Sequence, residues 1–276
     1  MKSVLTIQSQ VVGALVGNSV AGFALQRLGV PTLAIPTTLL GRRPDRGPPG
    51  GGPLPAGFLT SLLDALEGDN LLDGVEAVLS GYLALPEQAD FVLDAVSRVK
   101  ARNPNATYIC DPVLGDVGGQ FVSTEVAQAI IEKLIPEADI LTPNVFELGL
   151  ITKARLQTLE SVHAAARALN KRVIVTSATT DKGSGALYVA PGGSWLVQCP
   201  TLPDAPKGTG DLFTALFVAR RMRGQSVVVS LEAAVGATYD VIMHSRMSGS
   251  PHLAVVDAQE KLEHPVTWPN AQPYEG

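Results

Sequence analysis

Gly208-Thr209-Gly210-Asp211 is the stretch of this sequence with the clearest chemical meaning. Its two glycines allow a tight turn, and the apolar run Leu212 to Ala219 behind them predicts a helix starting at about Gly210. A helix start gathers unpaired N–H groups and the positive end of the helix dipole at one point, which makes an anion site. Asp211 in that positive potential is expected to be ionised and able to take a proton from an attacking hydroxyl. Phosphate plus hydroxyl is the natural pairing. Taken alone, the tetrapeptide reads more readily as a loop and helix cap, so its meaning depends on the rest of the chain.

Two further carboxylates stand where strands are expected to end. Asp111 follows the strand-like Tyr108-Ile109-Cys110, and Glu147 lies three residues beyond Asn144, after Ile140-Leu141-Thr142-Pro143. In a parallel sheet such positions face the ligand crevice. A hydrated Mg²⁺ needs only one or two carboxylates beside phosphate oxygens, so Asp111 and Glu147 could share one. Asn144 and Glu147 also have the spacing of a capping box, and that alternative stays open. Ser9, after Val4-Leu5-Thr6-Ile7, is either a ligand-facing or a loop hydroxyl. Cys110, inside an apolar run, reads as a small core residue rather than a nucleophile.

The elements that must hold these residues follow from periodicity. Strand 4–7, a helix from Gly17-Asn18 to Gly29 and strand Leu33-Ala34-Ile35 form a βαβ unit, hence a parallel sheet. Gly41 to Gly57 holds six glycines, five prolines and three arginines, which predicts a flexible lid-like loop and no strand. Helices are expected over 58–67, from Pro86 to Asn103, over 124–134, ending at 169 and near 231–244, with strands at 75–79 and 172–177. The runs 185–189 and 195–199 around Pro191-Gly192-Gly193 predict an antiparallel hairpin. No repeat or linker interrupts the pattern, so a single domain with a poorly packed tail from about 265 is expected.

A chain of 276 residues with 46% hydrophobic content can bury a large core. The net charge of −5 and scattered basic residues show no nucleic-acid footprint. The two cysteines form no metal-spaced pattern, which suits a reducing cytosol. Ser3 to Gln26 lacks charge, but Gln8-Ser9-Gln10 breaks the apolar run a signal peptide requires. No segment is expected to approach the roughly 18 to 20 apolar residues of a membrane span, so a soluble, cytoplasmic protein without a membrane partner is predicted. No Gly-x-Gly-x-x-Gly follows the first strand, which argues against a dinucleotide-binding oxidoreductase, and the absence of Gly-Lys-Ser/Thr excludes a P-loop.

Six blocks in one order, spread over nearly the whole chain, resemble the pyridoxal kinase branch of the ribokinase-like superfamily. They are Gln8-Ser9 with Val11-Val12 and Gly17-Asn18; Leu79-Ser80-Gly81-Tyr82-Leu83; Asp111-Pro112-Val113-Leu114-Gly115-Asp116; Thr142-Pro143-Asn144 with Glu147; Val175-Thr176-Ser177; and Gly208 to Asp211. The resemblance implies a three-layer α/β/α fold with a mostly parallel central sheet, a homodimer, and ATP-dependent phosphorylation of the 5′-hydroxyl of pyridoxal. It further implies Asp211 as base, with the Gly208, Thr209 and Gly210 amides as anion hole and Ser9 and Tyr82 beside the substrate. Asp111, Thr142, Asn144, Glu147, Thr176, Ser177, Lys207 and Gly208 are then nucleotide-binding, with Asp111 and Glu147 on Mg²⁺ and a monovalent cation such as K⁺ as a further ligand.

The chain departs from the family on the substrate and lid side. Gln10 stands where a His is usual, Gln120 where some members have Cys, and Arg43-Pro44-Asp45-Arg46 where a His-Pro-Gly-His-like stretch is usual. The always-charged Arg43 and Arg46 are expected to grip nucleotide phosphates from the lid. These departures keep two alternatives open: a kinase for a related alcohol such as hydroxymethylpyrimidine, and a non-catalytic vitamin-binding relative.

Overall fold

The computed structural model describes residues 2–276. In chain order its first elements are β1 (Ser3–Val11), α1 (Asn18–Arg27), β2 (Thr32–Leu40), β3 (Gly51–Pro53), α2 (Ala56–Gly68), β4 (Val75–Ser80), α3 (Gln88–Arg102), β5 (Thr107–Cys110), β6 (Gly115–Asp116) and β7 (Gly119–Gln120). There follow α4 (Thr124–Ala129), α5 (Ile135–Glu137), β8 (Ile140–Leu141), α6 (Val145–Thr152), α7 (Leu159–Ala168), β9 (Arg172–Thr180), β10 (Gly183–Ala190), β11 (Gly193–Cys199), α8 (Thr209–Met222), α9 (Val227–Met247), α10 (Gln259–Glu263) and β12 (Gln272–Pro273). Between α4 and α5 one widened turn, Ile130–Leu134, precedes Pro136, which has no N–H to give back to the preceding turn.

Ten strands form one sheet in the order β12-β11-β10-β9-β8-β5-β4-β1-β2-β3. From β9 to β2 every pairing is parallel, while β3 at one edge and β10, β11 and β12 at the other are antiparallel. Successive side chains in the central strands go to opposite faces, so both faces must be covered. Leu5 and Ile7 of β1, Val78 of β4 and Val173 and Val175 of β9 pack with α2, α3, α6 and α7. Val4, Leu79 and Ile174 pack on the other side with α1, α8 and α9. The result is the expected three-layer α/β/α arrangement, and it aligns the C-terminal ends of β1, β4, β5, β8 and β9 along one side of the molecule.

Three local expectations are corrected. The glycine- and proline-rich stretch 41–57 is not wholly loop: Gly51–Pro53 pairs antiparallel with Thr38–Leu40, and α2 starts at Ala56. Its unpaired side faces outward, and prolines are tolerated on such an edge. The tail past 265 is tied down, because Asp240 accepts hydrogen bonds from the Val266 and Thr267 N–H groups, Glu232 accepts from Ala271 N–H, and β12 adds to β11. Finally, α9 is long and apolar enough to cross a membrane by length and composition. It is instead packed on α8, β11 and α10, with residues such as Leu231, Ala234 and Val241 fully buried.

Candidate active site

A cleft of about 400 Å³ opens where the central strands end, and the N-terminus of α8 forms its floor. Asp111 reaches it from the end of β5, Thr142 from the end of β8, Asn144 and Glu147 from the start of α6, Thr176 and Ser177 from β9, and Lys207 to Asp211 from the turn into α8.

That turn depends on Gly208. Its φ of 95° lies in the left-handed region, and a Cβ there would sit 2.4 Å from the Leu15 carbonyl oxygen. Thr209 Oγ1 closes the turn by donating to the Pro206 carbonyl (2.6 Å). The first internal bond of α8 runs from Leu212 N–H to Gly208 O (2.9 Å), and no side chain caps the helix, so the N–H groups of Thr209, Gly210 and Asp211 are left for a ligand. A Cβ built on Gly210 would meet no atom within 4 Å: that residue opens on empty space in the cleft. Backbone donors around open space at a helix start fit a phosphate.

Asp211 accepts a hydrogen bond from Gly17 N–H (2.9 Å), which ties α8 to the start of α1. Its carboxyl is pushed up to about 6 by burial, against the opposing pull of that N–H. Desolvation thus raises Asp211 above the ordinary carboxyl value, an effect absent from the sequence reading, while a value of about 6 still leaves it mostly ionised at neutral pH.

Asp111 and Glu147 are 7% and 4% exposed. Glu147 completes a capping box with Asn144, and its other oxygen accepts from Leu114 N–H (3.0 Å) and Gly115 N–H (3.3 Å). Even with these donors, burial pushes Glu147 up to about 8. Asp111 is raised well above the carboxylate range by burial and then by the charges of Glu147 and Asp211, while Thr142 and Thr214 stabilise its ionised form. Two buried carboxylates beside an open helix start are hard oxygen donors, and such donors suit a hydrated Mg²⁺. Cap and metal ligand are compatible roles for Glu147: the oxygen that accepts only the Asn144 N–H keeps a lone pair, while the other is filled by the Leu114 and Gly115 N–H groups.

Ser177 lies at a bulge where the β9–β10 register shifts, with φ 57°, a conformation costly for a residue with a Cβ and typical of functional sites. Lys207 pairs with Asp116 and stands 4.7 Å from the centre of the Phe121 ring. Ser9 and Tyr82 do not line the cleft. They follow the paired ends of β1 and β4, and Ser9 packs against Gly17, where a Cβ would be 2.4 Å from Ser9 Oγ. Ser9 therefore adjoins the backbone N–H that holds Asp211. Tyr82 is half-buried, its carbonyl accepting from Thr37 Oγ1 (2.7 Å). Gln10 Nε2 donates to Ser19 Oγ (2.9 Å), and Gln120 Nε2 to the Val122 carbonyl (2.8 Å). Arg43 is locked in a two-pronged pair with Asp45, and neither it nor Arg46 lines the cleft. Cys110 is buried with its thiol pushed up to about 12, an inert core residue as expected.

The model for the family described as phosphomethylpyrimidine kinase matches residues 26–255. A protein from Leifsonia xyli named pyridoxal kinase PdxY is 37% identical over 271 residues, covering 95% of this chain and 96% of its own. The chain belongs to this kinase family, in its pyridoxal kinase branch. A second PdxY, from Deinococcus radiodurans, is 37% identical over 279 residues, covering 96% of this chain and 94% of its own. Among solved structures, the pyridoxal kinase of Leishmania donovani in complex with ADP is 26% identical with a TM-score of 0.92, covering both chains fully. The pyridoxal kinase of Entamoeba histolytica shares the fold at 22% identity, TM-score 0.92, over 99% of this chain and 100% of its own.

Several cleft residues of this kinase family member escaped the sequence reading. Val235, Thr238, Tyr239 and Ile242 of α9 form one wall, Leu202 and Cys199 lie beside them, and Asp116 and Phe121 stand on the β6–β7 hairpin. Asp116 closes the Asp111 to Asp116 block and lines the cleft beside Lys207. The α9 residues carried no signal, since an all-round apolar helix reads the same whether it faces core or cleft.

Proposed function

We propose that this protein transfers the γ-phosphoryl group of ATP to the 5′-hydroxyl of pyridoxal, giving pyridoxal 5′-phosphate and ADP. The observation that carries the reading is Asp211: a carboxyl that titrates at about 6 beside an uncapped helix start with open space at Gly210. The acceptor hydroxyl gives its proton to Asp211 as its oxygen bonds to the γ-phosphorus and the bond to ADP breaks. The N–H groups of Thr209, Gly210 and Asp211 hold the phosphoryl oxygens as charge shifts among them. Asp111 and Glu147 would hold a hydrated Mg²⁺, which neutralises phosphate charge when bound. Lys207, Thr142, Asn144, Thr176 and Ser177 position the nucleotide; a monovalent cation such as K⁺ is a further ligand of this polar wall. Ser9 and Tyr82 orient the pyridine ring. A homodimer working in the cytoplasm completes the proposal, supported by the family the chain belongs to.

ADP release measured with pyridoxal, pyridoxamine, pyridoxine and hydroxymethylpyrimidine at matched concentration with MgATP tests this directly. Preference for pyridoxal is expected. Preference for hydroxymethylpyrimidine would support the second reading. Release with none would leave a vitamin-binding relative.

A further inference from the structure

A second cavity, of about 340 Å³, lies at the opposite end of the sheet from the cleft, where β4, β5, β8 and β9 begin. Its floor is apolar, from Ile109, Ile140, Phe217 and Val218, all buried. Its rim carries Arg172 and Arg221 with Asn105 and Glu76. Neither guanidinium has a carboxylate within ion-pair distance among the described residues, whereas Glu76 is already paired with Lys2 at 2.8 Å. Arg172 gives only Nε to the Asp139 carbonyl (3.2 Å), and Arg221 gives one terminal nitrogen to the Gln225 carbonyl, so each keeps further donors free. Both guanidinium-bearing residues line the same cavity.

A helix C-terminus beside this cavity would ordinarily oppose an anion. Here the last carbonyls of α8 are occupied: Ala219, Arg220 and Arg221 accept from the N–H groups of Arg223, Gln225 and Gly224 at 3.0 to 3.1 Å. The charges lining this cavity without an ion-pair partner among the described residues are therefore the two guanidiniums, in a chain whose net charge is −5.

We propose that this cavity binds a small organic phosphate: a flat apolar body on the Ile109–Phe217 floor and a dianionic head between Arg172 and Arg221. Its size is within the range of small-molecule sites, and its lining combines polar groups with a small apolar floor. Planar guanidiniums are matched to phosphate oxygens, and two of them balance a dianion. The site shares α8 with the cleft, one end of the helix forming the anion-holding turn and the other, about 20 Å away, lining this cavity. It is nevertheless separate from the nucleotide site and from turnover.

Phenyl phosphate carries the required chemistry and serves as probe. Calorimetric titration of the full chain is expected to show a binding component that Gly210→Ala, which alters the cleft, leaves intact. Arg172→Gln/Arg221→Gln should weaken that component by about tenfold or more, through lost charge-assisted hydrogen bonds. Both arginines are solvent-exposed, so the fold is expected to survive, which circular dichroism verifies. Inorganic phosphate, lacking the apolar body, should bind more weakly than phenyl phosphate. Equal affinity of wild type and double variant overturns the proposal, as does a phenyl phosphate component that vanishes in Gly210→Ala. Equal binding of the two probes overturns the role of the apolar floor. The measurement reads binding alone, so its outcome is independent of whether pyridoxal is the acceptor.

Discussion

A base that titrates near 6 is ionised for most of the population at neutral pH yet still gains from taking a proton, which is the compromise general-base catalysis favours. Asp211→Asn keeps the Gly17 N–H bond, since an amide oxygen also accepts, and removes the basicity. Turnover with pyridoxal should fall by about 10² to 10⁴, and the acid limb of kcat/KM, with its midpoint at about 6 in the wild type, should disappear. Stability should move the other way. The folded-state value is raised, so the native chain holds the proton more tightly than the unfolded chain; that contribution is full below the ordinary carboxyl value of 3.8 and is lost as pH rises through about 6. At pH 7 the ionised group costs about 1–2 kcal/mol, discounted because one side of Asp211 opens on the cleft. Chemical denaturation at pH 7 should therefore find the Asn variant more stable than wild type, and a less stable variant would contradict the burial argument. Glu147→Ala tests the double role of that residue. Leaving the N–H groups of Asn144, Leu114 and Gly115 without their acceptor should cost about 1–3 kcal/mol, and the Mg²⁺ concentration for half-maximal rate should also rise. Lost stability with unchanged Mg²⁺ dependence would leave Glu147 a helix cap alone.

At the scale of the element, α8 is a helix whose first turn is left open on purpose of chemistry rather than of folding. Gly208 cannot be replaced without collision with Leu15, but Gly210 faces empty space and carries no positive φ. Alanine is the better helix former by roughly 0.5–1 kcal/mol, so Gly210→Ala should fold with unchanged or slightly higher Tm. Its methyl group would project into the space assigned to the phosphate, and turnover should drop by an order of magnitude or more through a higher KM for ATP. Wild-type kinetics in this variant would mean that the phosphoryl group is held elsewhere. A different element, the edge strand β3, bears on the arginines of the 43–46 stretch, which lie off the cleft. Gly51–Pro53 is stitched to β2, and Arg43, its side chain largely covered, is consumed by Asp45, so any grip on phosphate requires that pair to open.

At the scale of the whole molecule, the tail buttresses the wall of the cleft. Gly236 of α9 lets the chain at Thr267 come so close that a Cβ would sit 2.0 Å from its carbonyl oxygen, and Asp240, one turn on, binds three donors at Val266 and Thr267. Val235, Thr238 and Tyr239 of the same helix face the cleft. Gly236→Ala should therefore lower Tm and raise KM for ATP together, while kcat changes little, because the base and the anion-holding turn are on α8. A fall in Tm with KM for ATP unmoved would separate the tail from the site.

The sequence by itself determined the pieces whose signals are local. The Gly208 to Asp211 turn, the βαβ order, the β10–β11 hairpin and the 144–147 capping box follow from backbone freedom, periodicity and side-chain spacing, all set within a few residues. Carboxylates expected at strand ends meet in one cleft because parallel strands must end on one side. Only the tertiary structure decided the electrostatics and the walls. Asp211 is raised rather than lowered because burial by the surrounding fold outweighs the Gly17 N–H, from a segment nearly two hundred residues away, that favours its charged form. The α9 wall, the tied-down tail and the edge strand at Gly51–Pro53 each depend on partners some 10 to 40 residues or more away. Composition records that a residue is apolar or flexible, but not which surface it meets, and that is where sequence and structure part.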